Sequence, residues 1–196
     1  MSEGVDRDKR RFLTLLTTGV GAIGVGFAAT PFVLSMTPSA RARAAGAPVE
    51  VDVSKLEPGQ MMTVEWRSKP VWIVRRTKEM LDSLKAVTDK VSDPKSEVPL
   101  QPDYAKNEYR SIKPEILVLV GICSHLGCSP QAKGADAKAE MGADWAGGFL
   151  CPCHGSKFDL AGRVYKGAPA PVNLDVPPHT YLSDSTILIG DDQKGA

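Results

Sequence analysis

The sequence predicts a mainly β, antiparallel head with one inserted helix, carried on a single N-terminal transmembrane helix. Three observations predict this. A stretch of 25 residues, Phe12 to Met36, has no charge, and one spanning helix needs about 20. From residue 49 onward the apolar residues fall in short β-branched runs separated by turn residues. One segment there recurs at helical spacing instead. The composition agrees: 196 residues at 42% hydrophobic and 24% charged describe a globular chain of one or two domains. The formal net charge of +1 argues against nucleic-acid binding, which shows a basic excess.

The N-terminal element comes first. Residues 1–11 carry Arg7, Lys9, Arg10 and Arg11 ahead of the apolar stretch, and Arg41 and Arg43 follow it. More basic residues before than after place the N-terminus in the cytoplasm and the head on the far side. The stretch 12–36 is rich in glycine, as membrane helices tolerate. Ala40-Arg41-Ala42 and Ala42-Arg43-Ala44 also fit cleavage sites of an export signal, whose apolar part runs about 7–15 residues. The length favours a retained anchor. Lys9-Arg10-Arg11-Phe12-Leu13 resembles a twin-arginine export signal, with Lys9-Arg10 as the best-placed pair. Residues 37–48, rich in Ala, Arg, Pro and Gly, read as a flexible linker, partly helical at most.

The head is then 49–196, with 18 basic against 20 acidic side chains. Met61 to Trp66 and Val71 to Val74 form a hairpin pattern around Arg67 to Pro70. Thr77 is a helix N-cap, with Met80, Leu81, Leu84, Val87 and Val91 along one face. Asp93 to Arg110 reads as loop. Ile116 to Ile122 is a continuous apolar run, the mark of a buried strand. Phe149-Leu150 and Arg163-Val164-Tyr165 are short strands, and Tyr181-Leu182 with Thr186 to Gly190 is a last hairpin.

All four cysteines lie between Cys123 and Cys153, with two of the three histidines among them. They form two boxes, Cys123-Ser124-His125-Leu126-Gly127-Cys128 and Cys151-Pro152-Cys153-His154-Gly155-Ser156. Each offers Cys and His two or three residues apart, so a tight loop can present both to one metal centre. Thiolates suit iron–sulfur clusters, and imidazole suits iron or zinc. A mononuclear Cys2His2 zinc site would use the same four and leave Cys128 and Cys153 over. In an exported protein such a pair can form a disulfide.

Together the boxes resemble those of Rieske iron–sulfur proteins, in the quinol-oxidising branch. The resemblance covers anchor, linker and head. It implies an antiparallel β-sandwich with a small cluster-binding subdomain, about residues 120–172. It implies one 2Fe–2S cluster, with Cys123 and Cys151 on the inner iron and His125 and His154 on the outer. In Rieske centres two histidines replace two cysteines on one iron, which raises the potential. The resemblance further implies a Cys128–Cys153 disulfide, absent from the ring-hydroxylating branch. Ser156 is similar to a family hydroxyl that donates to a bridging sulfide, and Leu126 to a residue that shields the cluster near the quinone. Gly167-Ala168-Pro169-Ala170-Pro171 resembles the family's proline loop with Ala168 as one extra residue. Phe158 stands where many relatives have a tyrosine that donates to a ligand thiolate. The 25 residues from Leu126 to Leu150 are a longer separation than in many relatives, so Ser129 to Gly148 reads as a surface insert. His179 reads as a surface or turn histidine, not a ligand.

The function so implied is that of an electron-transfer subunit in a ubiquinol–cytochrome c reductase, the cytochrome bc1 complex. An imidazole that ligates oxidised iron releases its N–H proton more readily. His154, with His125 as second choice, would thus take a hydrogen bond from ubiquinol as the cluster takes one electron. The expected partners are a cytochrome b subunit, a membrane-bound c-type cytochrome, ubiquinol, membrane lipid and a second copy of a dimeric complex. The expected place is the bacterial inner membrane, with a periplasmic head and proton release outside. Two other readings compete: the Rieske subunit of another periplasmic oxidoreductase of the arsenite oxidase type, and a non-redox zinc-binding module.

Overall fold

The computed structural model describes residue 4 and residues 6–192. The chain divides into two compact units, Met1–Ala44 and Ala45–Ala196.

The first unit is helical. Asp6 caps α1 (Arg7–Ser35) by accepting from the amides of Asp8 and Lys9, which supplies acceptors for two of the free N–H groups at a helix start. No residue of α1 is buried. Its Thr14, Thr17 and Thr30 hydroxyls donate to carbonyls four residues back, so these polar groups are satisfied within the helix. A short second helix, α2 (Ala40–Ala45), follows. Within Arg7–Ala44 an 18-residue stretch reaches a mean hydropathy of 1.8, so the helix is long and apolar enough to cross a membrane.

Among its described residues the second unit holds nine strands in three small antiparallel sheets: β1 (Val49–Asp52), β2 (Met61–Trp66), β3 (Lys69–Arg75), β4 (Ile116–Val120), β5 (Gln131–Lys133), β6 (Gly148–Leu150), β7 (Lys157–Phe158), β8 (His179–Tyr181) and β9 (Thr186–Ile189). The sheet orders are β1-β9-β8, β2-β3-β4 and β5-β6-β7. β2 and β3 are joined by Arg67 and Ser68, both at positive φ, the conformation that matches the twist of a two-residue hairpin. Strand β3 begins at Lys69, two residues ahead of the Val71 expected from sequence. The β2-β3-β4 sheet is covered on both faces. Trp72, Val74, Leu117 and Leu119 join one apolar cluster with Cys123 and Cys151. Val71, Ile73, Ile116 and Val118 join another with Val51, Ile187 and Ile189. Side chains alternate along a strand, so burial on both faces explains why Ile116–Val120 is apolar without a break.

Helix α3 (Lys78–Ala86) begins at Thr77, whose hydroxyl accepts from the amide of Met80. Its Leu84 packs on Leu160 and Ala161. The expected helical face runs too far: Val87 caps the helix and Val91 lies beyond it, in an isolated bridge with Tyr165.

Three buried arginines hold the turn Asp159 to Arg163. Arg163 Nε donates to Asp159 Oδ2 at 2.7 Å, with both side chains 1% exposed, and Arg163 also reaches the Leu84 carbonyl. Arg76 donates to the carbonyls of Leu160, Tyr109 and Pro114 and to the Ser111 hydroxyl. Arg110 donates to the carbonyl of Ala161 and to Gln101. Burial lowers the pKa of Arg76 and Arg110 to about 10, which leaves both charged at neutral pH. Of the three, only Arg110 lies in the segment read from sequence as loop, and single arginines carry no periodic signal that would reveal the clamp.

Four further differences from the sequence reading have physical causes. β1 carries an alternating Val-Glu-Val-Asp pattern that is short, and it gains its ladder from β9, 134 or more residues away. The residues Arg163 to Tyr165 form isolated bridges, Val164 to Phe158 and Tyr165 to Val91, instead of a strand. The insert Ser129 to Gly148 is ordered: β5 pairs with β6, α4 spans Lys138–Met141, and Met141 and Trp145 are buried. His179 is no surface residue. It is 1% exposed, its Nδ1 is 2.9 Å from the Pro177 carbonyl, and its ring meets Tyr104 edge-on.

Candidate metal centre

Each box folds into the same small loop. In the first, the Cys123 amide donates to the Cys128 carbonyl at 2.7 Å, and the Gly127 amide returns to the Cys123 carbonyl at 3.0 Å. In the second, the Cys151 amide donates to the Ser156 carbonyl at 2.8 Å, and the Gly155 amide to the Cys151 carbonyl at 2.9 Å. Both returns need a left-handed residue, which Gly127 and Gly155 supply at φ 83° and 74°; a side chain there would be strained. The first loop continues from β4, and the second connects β6 to β7. Trp72 of β3 stacks on Phe149 of β6 at 5.0 Å, in the apolar cluster that also holds Cys123 and Cys151.

The Cys128–Cys153 disulfide clasps the loops. The sulfurs of Cys128, Cys151 and Cys153 lie within 4.8 Å of one another, but two are bonded together and so are no metal ligands. Cys123 and Cys151 are the free cysteines, both buried. Burial pushes the Cys123 thiol pKa up, and the adjacent Cys151 thiol adds to this; the His125 amide and the Ser156 hydroxyl, both donating to its sulfur, act the other way. The rings of His125 and His154 are 4.7 Å apart and nearly perpendicular. His125 Nδ1 is buried with no partner in the protein. His154 is exposed, and His125 is half-buried.

The two loops thus bring two free, buried thiols and a pair of imidazole rings, one with an orphaned ring nitrogen. This donor set fits an iron–sulfur group held by two thiolates and two histidines. Leu126 is 71% exposed at the tip. Phe158 is fully buried in the apolar cluster that contains Cys123 and Cys151, so no hydroxyl stands at that position.

The proline loop, residues 167–171, reaches both boxes. Ser156 accepts from the Ala170 amide at 3.0 Å, and Ser124 donates to the Val172 carbonyl at 2.6 Å. The Ser124 contact escaped sequence reading because its partner lies 48 residues away and a hydroxyl between Cys123 and His125 carries no distinguishing pattern.

A β head with paired, disulfide-clasped ligand loops defines an iron–sulfur electron-transfer protein. Residues 47–178 match the family described as Rieske [2Fe-2S] domain. Residues 1–39 match the Ubiquitinol-cytochrome C reductase Fe-S subunit TAT signal. The ubiquinol–cytochrome c reductase iron–sulfur subunit of Allochromatium vinosum is 60% identical, covering 100% of this chain and 94% of that protein. That of Rhodospirillum rubrum is 44% identical, covering 95% and 94%. A chain of a solved hyperthermophilic respiratory complex III is 28% identical, covering 89% of this chain and 98% of its own, with a TM-score of 0.47. The chain belongs to the Rieske iron–sulfur subunits of ubiquinol–cytochrome c reductase, the bc1 complex. Its cofactor is the Rieske [2Fe–2S] cluster, and the arsenite oxidase and zinc-module readings give way.

Proposed function

We propose that Cys123 and Cys151 hold one iron, that His125 and His154 hold the other, and that His154 meets the quinol. The observation that supports this is the pairing of two like loops around a clasp, with free thiols buried and the two rings 4.7 Å apart. When bound, the cluster supplies a one-electron acceptor for quinol and a donor for a c-type cytochrome. The chain's own part is to orient and to move a proton. His154, exposed like Leu126, offers an imidazole nitrogen to the quinol hydroxyl and carries its proton to water. Leu126 covers the loop with an apolar side chain and excludes water from the meeting place. Ser156 donates a hydrogen bond toward sulfur, which stabilises the more negative, reduced state and raises the potential.

Residues 12–36 serve as the membrane anchor behind a cytoplasmic N-terminus, 1–11. Residues 37–48 serve as a flexible tether and 49–196 as a periplasmic head. The basic residues ahead of Phe12 support this orientation in the bacterial inner membrane. The working partners are the cytochrome b subunit, a c-type cytochrome, ubiquinol and lipid, in a dimeric complex. The test uses the intact complex. Alanine at Cys123, His125, Cys151 or His154, one at a time, abolishes the paramagnetic resonance of the reduced cluster and quinol-driven cytochrome c reduction. The b- and c-type haem absorbance stays. A variant that keeps the unaltered resonance removes that residue from the ligand set.

A further inference from the structure

The proline loop is fastened to both ligand loops by one serine from each. Ser124 sits between Cys123 and His125 and must be the donor in its 2.6 Å contact, since the Val172 carbonyl can only accept. Ser156 must be the acceptor in its 3.0 Å contact, since the Ala170 amide can only donate. No freedom of hydroxyl rotation changes either assignment. The two bonds are separated by a single residue on the proline loop, Pro171, which has no N–H and a fixed φ. They act on one short, stiff segment.

The second bond has a consequence for Ser156. Its oxygen has two lone pairs and one proton. Once the Ala170 amide occupies one lone pair, the proton points away from the proline loop. Ser156 is fully buried in the loop that carries the buried Cys151, whose amide donates to the Ser156 carbonyl, so on the ligand set proposed above the cluster sulfurs are the acceptors left for its proton. The seat of the proline loop therefore decides where the Ser156 proton points, and Ser124 holds that seat from the opposite loop.

We propose that Ser124 is a positioning residue: it latches the proline loop at Val172, and the latched loop, through the Ala170 amide, aims the Ser156 hydroxyl at the cluster sulfurs. This rests on the ligand set proposed above. Ser124 acts on the cluster potential without touching the sulfur itself, and Ser156 is the only route.

The test is a double-mutant cycle in the purified complex, because residues that share one path are not additive. Two quantities are read: the cluster midpoint by redox titration, and amide exchange over residues 167–172 by mass spectrometry. Ser124→Ala speeds exchange about tenfold, the loss expected for one hydrogen bond of about 1.4 kcal/mol. It lowers the reduction constant of the cluster at least twofold. Ser124→Thr, which keeps the hydroxyl, restores both. Ser156→Ala lowers the midpoint further, and adding Ser124→Ala to it produces no additional drop. Exchange unchanged in Ser124→Ala overturns the latch. Full additivity of the two midpoint shifts overturns the path through Ser156. A midpoint unmoved by Ser156→Ala overturns the aim and the ligand set beneath it, whereas the exchange readout depends on the latch alone.

Discussion

Removing the clasp is the sharpest perturbation of this site. Cys128 and Cys153 are 25 residues apart in sequence. Closing a loop of that length removes about 12 cal/mol/K of entropy from the unfolded chain, or about 3.5 kcal/mol at 25 °C. For a head of this size each kcal/mol moves the thermal midpoint by roughly 2–4 °C. The Cys128→Ala/Cys153→Ala double variant therefore melts about 7–14 °C lower. Alanine suits the half-buried Cys128, which packs on the apolar cluster. Both cysteines must go together, because a lone thiol would stand within 4.8 Å of the Cys151 sulfur and compete with it. Each ligand loop keeps its own two backbone hydrogen bonds. What is lost is the approach of one loop to the other, so iron content falls as well. The assay is circular dichroism melting with iron analysis, and reduced wild type serves as the control. A midpoint shift below about 2 °C with full iron content would refute the reasoning, since the loops would then be held together by packing alone.

Three other outcomes follow from particular contacts. Phe158→Tyr supplies a hydroxyl in the apolar cluster beside the ligand cysteines; one hydrogen bond of about 1–1.5 kcal/mol that favours the reduced state raises the midpoint by roughly 40–65 mV, and a redox titration with no rise removes that role from position 158. Asp159→Ala leaves the fully buried Arg163 without its carboxylate and costs about 3–5 kcal/mol; chemical denaturation that shows less than about 1 kcal/mol would mean the turn needs no counter-charge. His179 has its pKa lowered, chiefly by burial, with the Pro177 carbonyl and Asp192 opposing. The unfolded state therefore binds its proton first, so stability is full above about pH 6.5 and falls as pH drops below it, by at most about 1.4 kcal/mol per pH unit. His179→Gln flattens that part of the difference in melting midpoint between pH 7.5 and pH 5.5, and an unchanged slope would place the dependence elsewhere.

The relation between sequence and structure differs from element to element. The charge-free stretch in α1 and the unbroken apolar run of β4 were legible because one physical constraint governs many consecutive residues: solvation by lipid in the first, burial on two faces in the second. The chemistry-bearing residues were legible for a related reason. Iron–sulfur ligation accepts few side chains, so the two boxes 123–128 and 151–156 stand out by residue type and spacing, while the proposed ligand set within them comes from the family resemblance. The short β1 and the buried Trp145 were not legible, since each owes its place to a partner distant in the chain.

The residues of this chain determined by themselves the anchor, the mostly β head, the two ligand boxes and the family to which they belong. The tertiary structure alone decided that His179 is buried, that three arginines clamp the turn Asp159 to Arg163, and that Ser124 and Ser156 hold the proline loop between them. Periodicity and residue chemistry act over a few neighbouring positions and leave a written pattern. A hydrogen bond between residues 48 or 84 positions apart leaves none, because its partner is chosen by the fold.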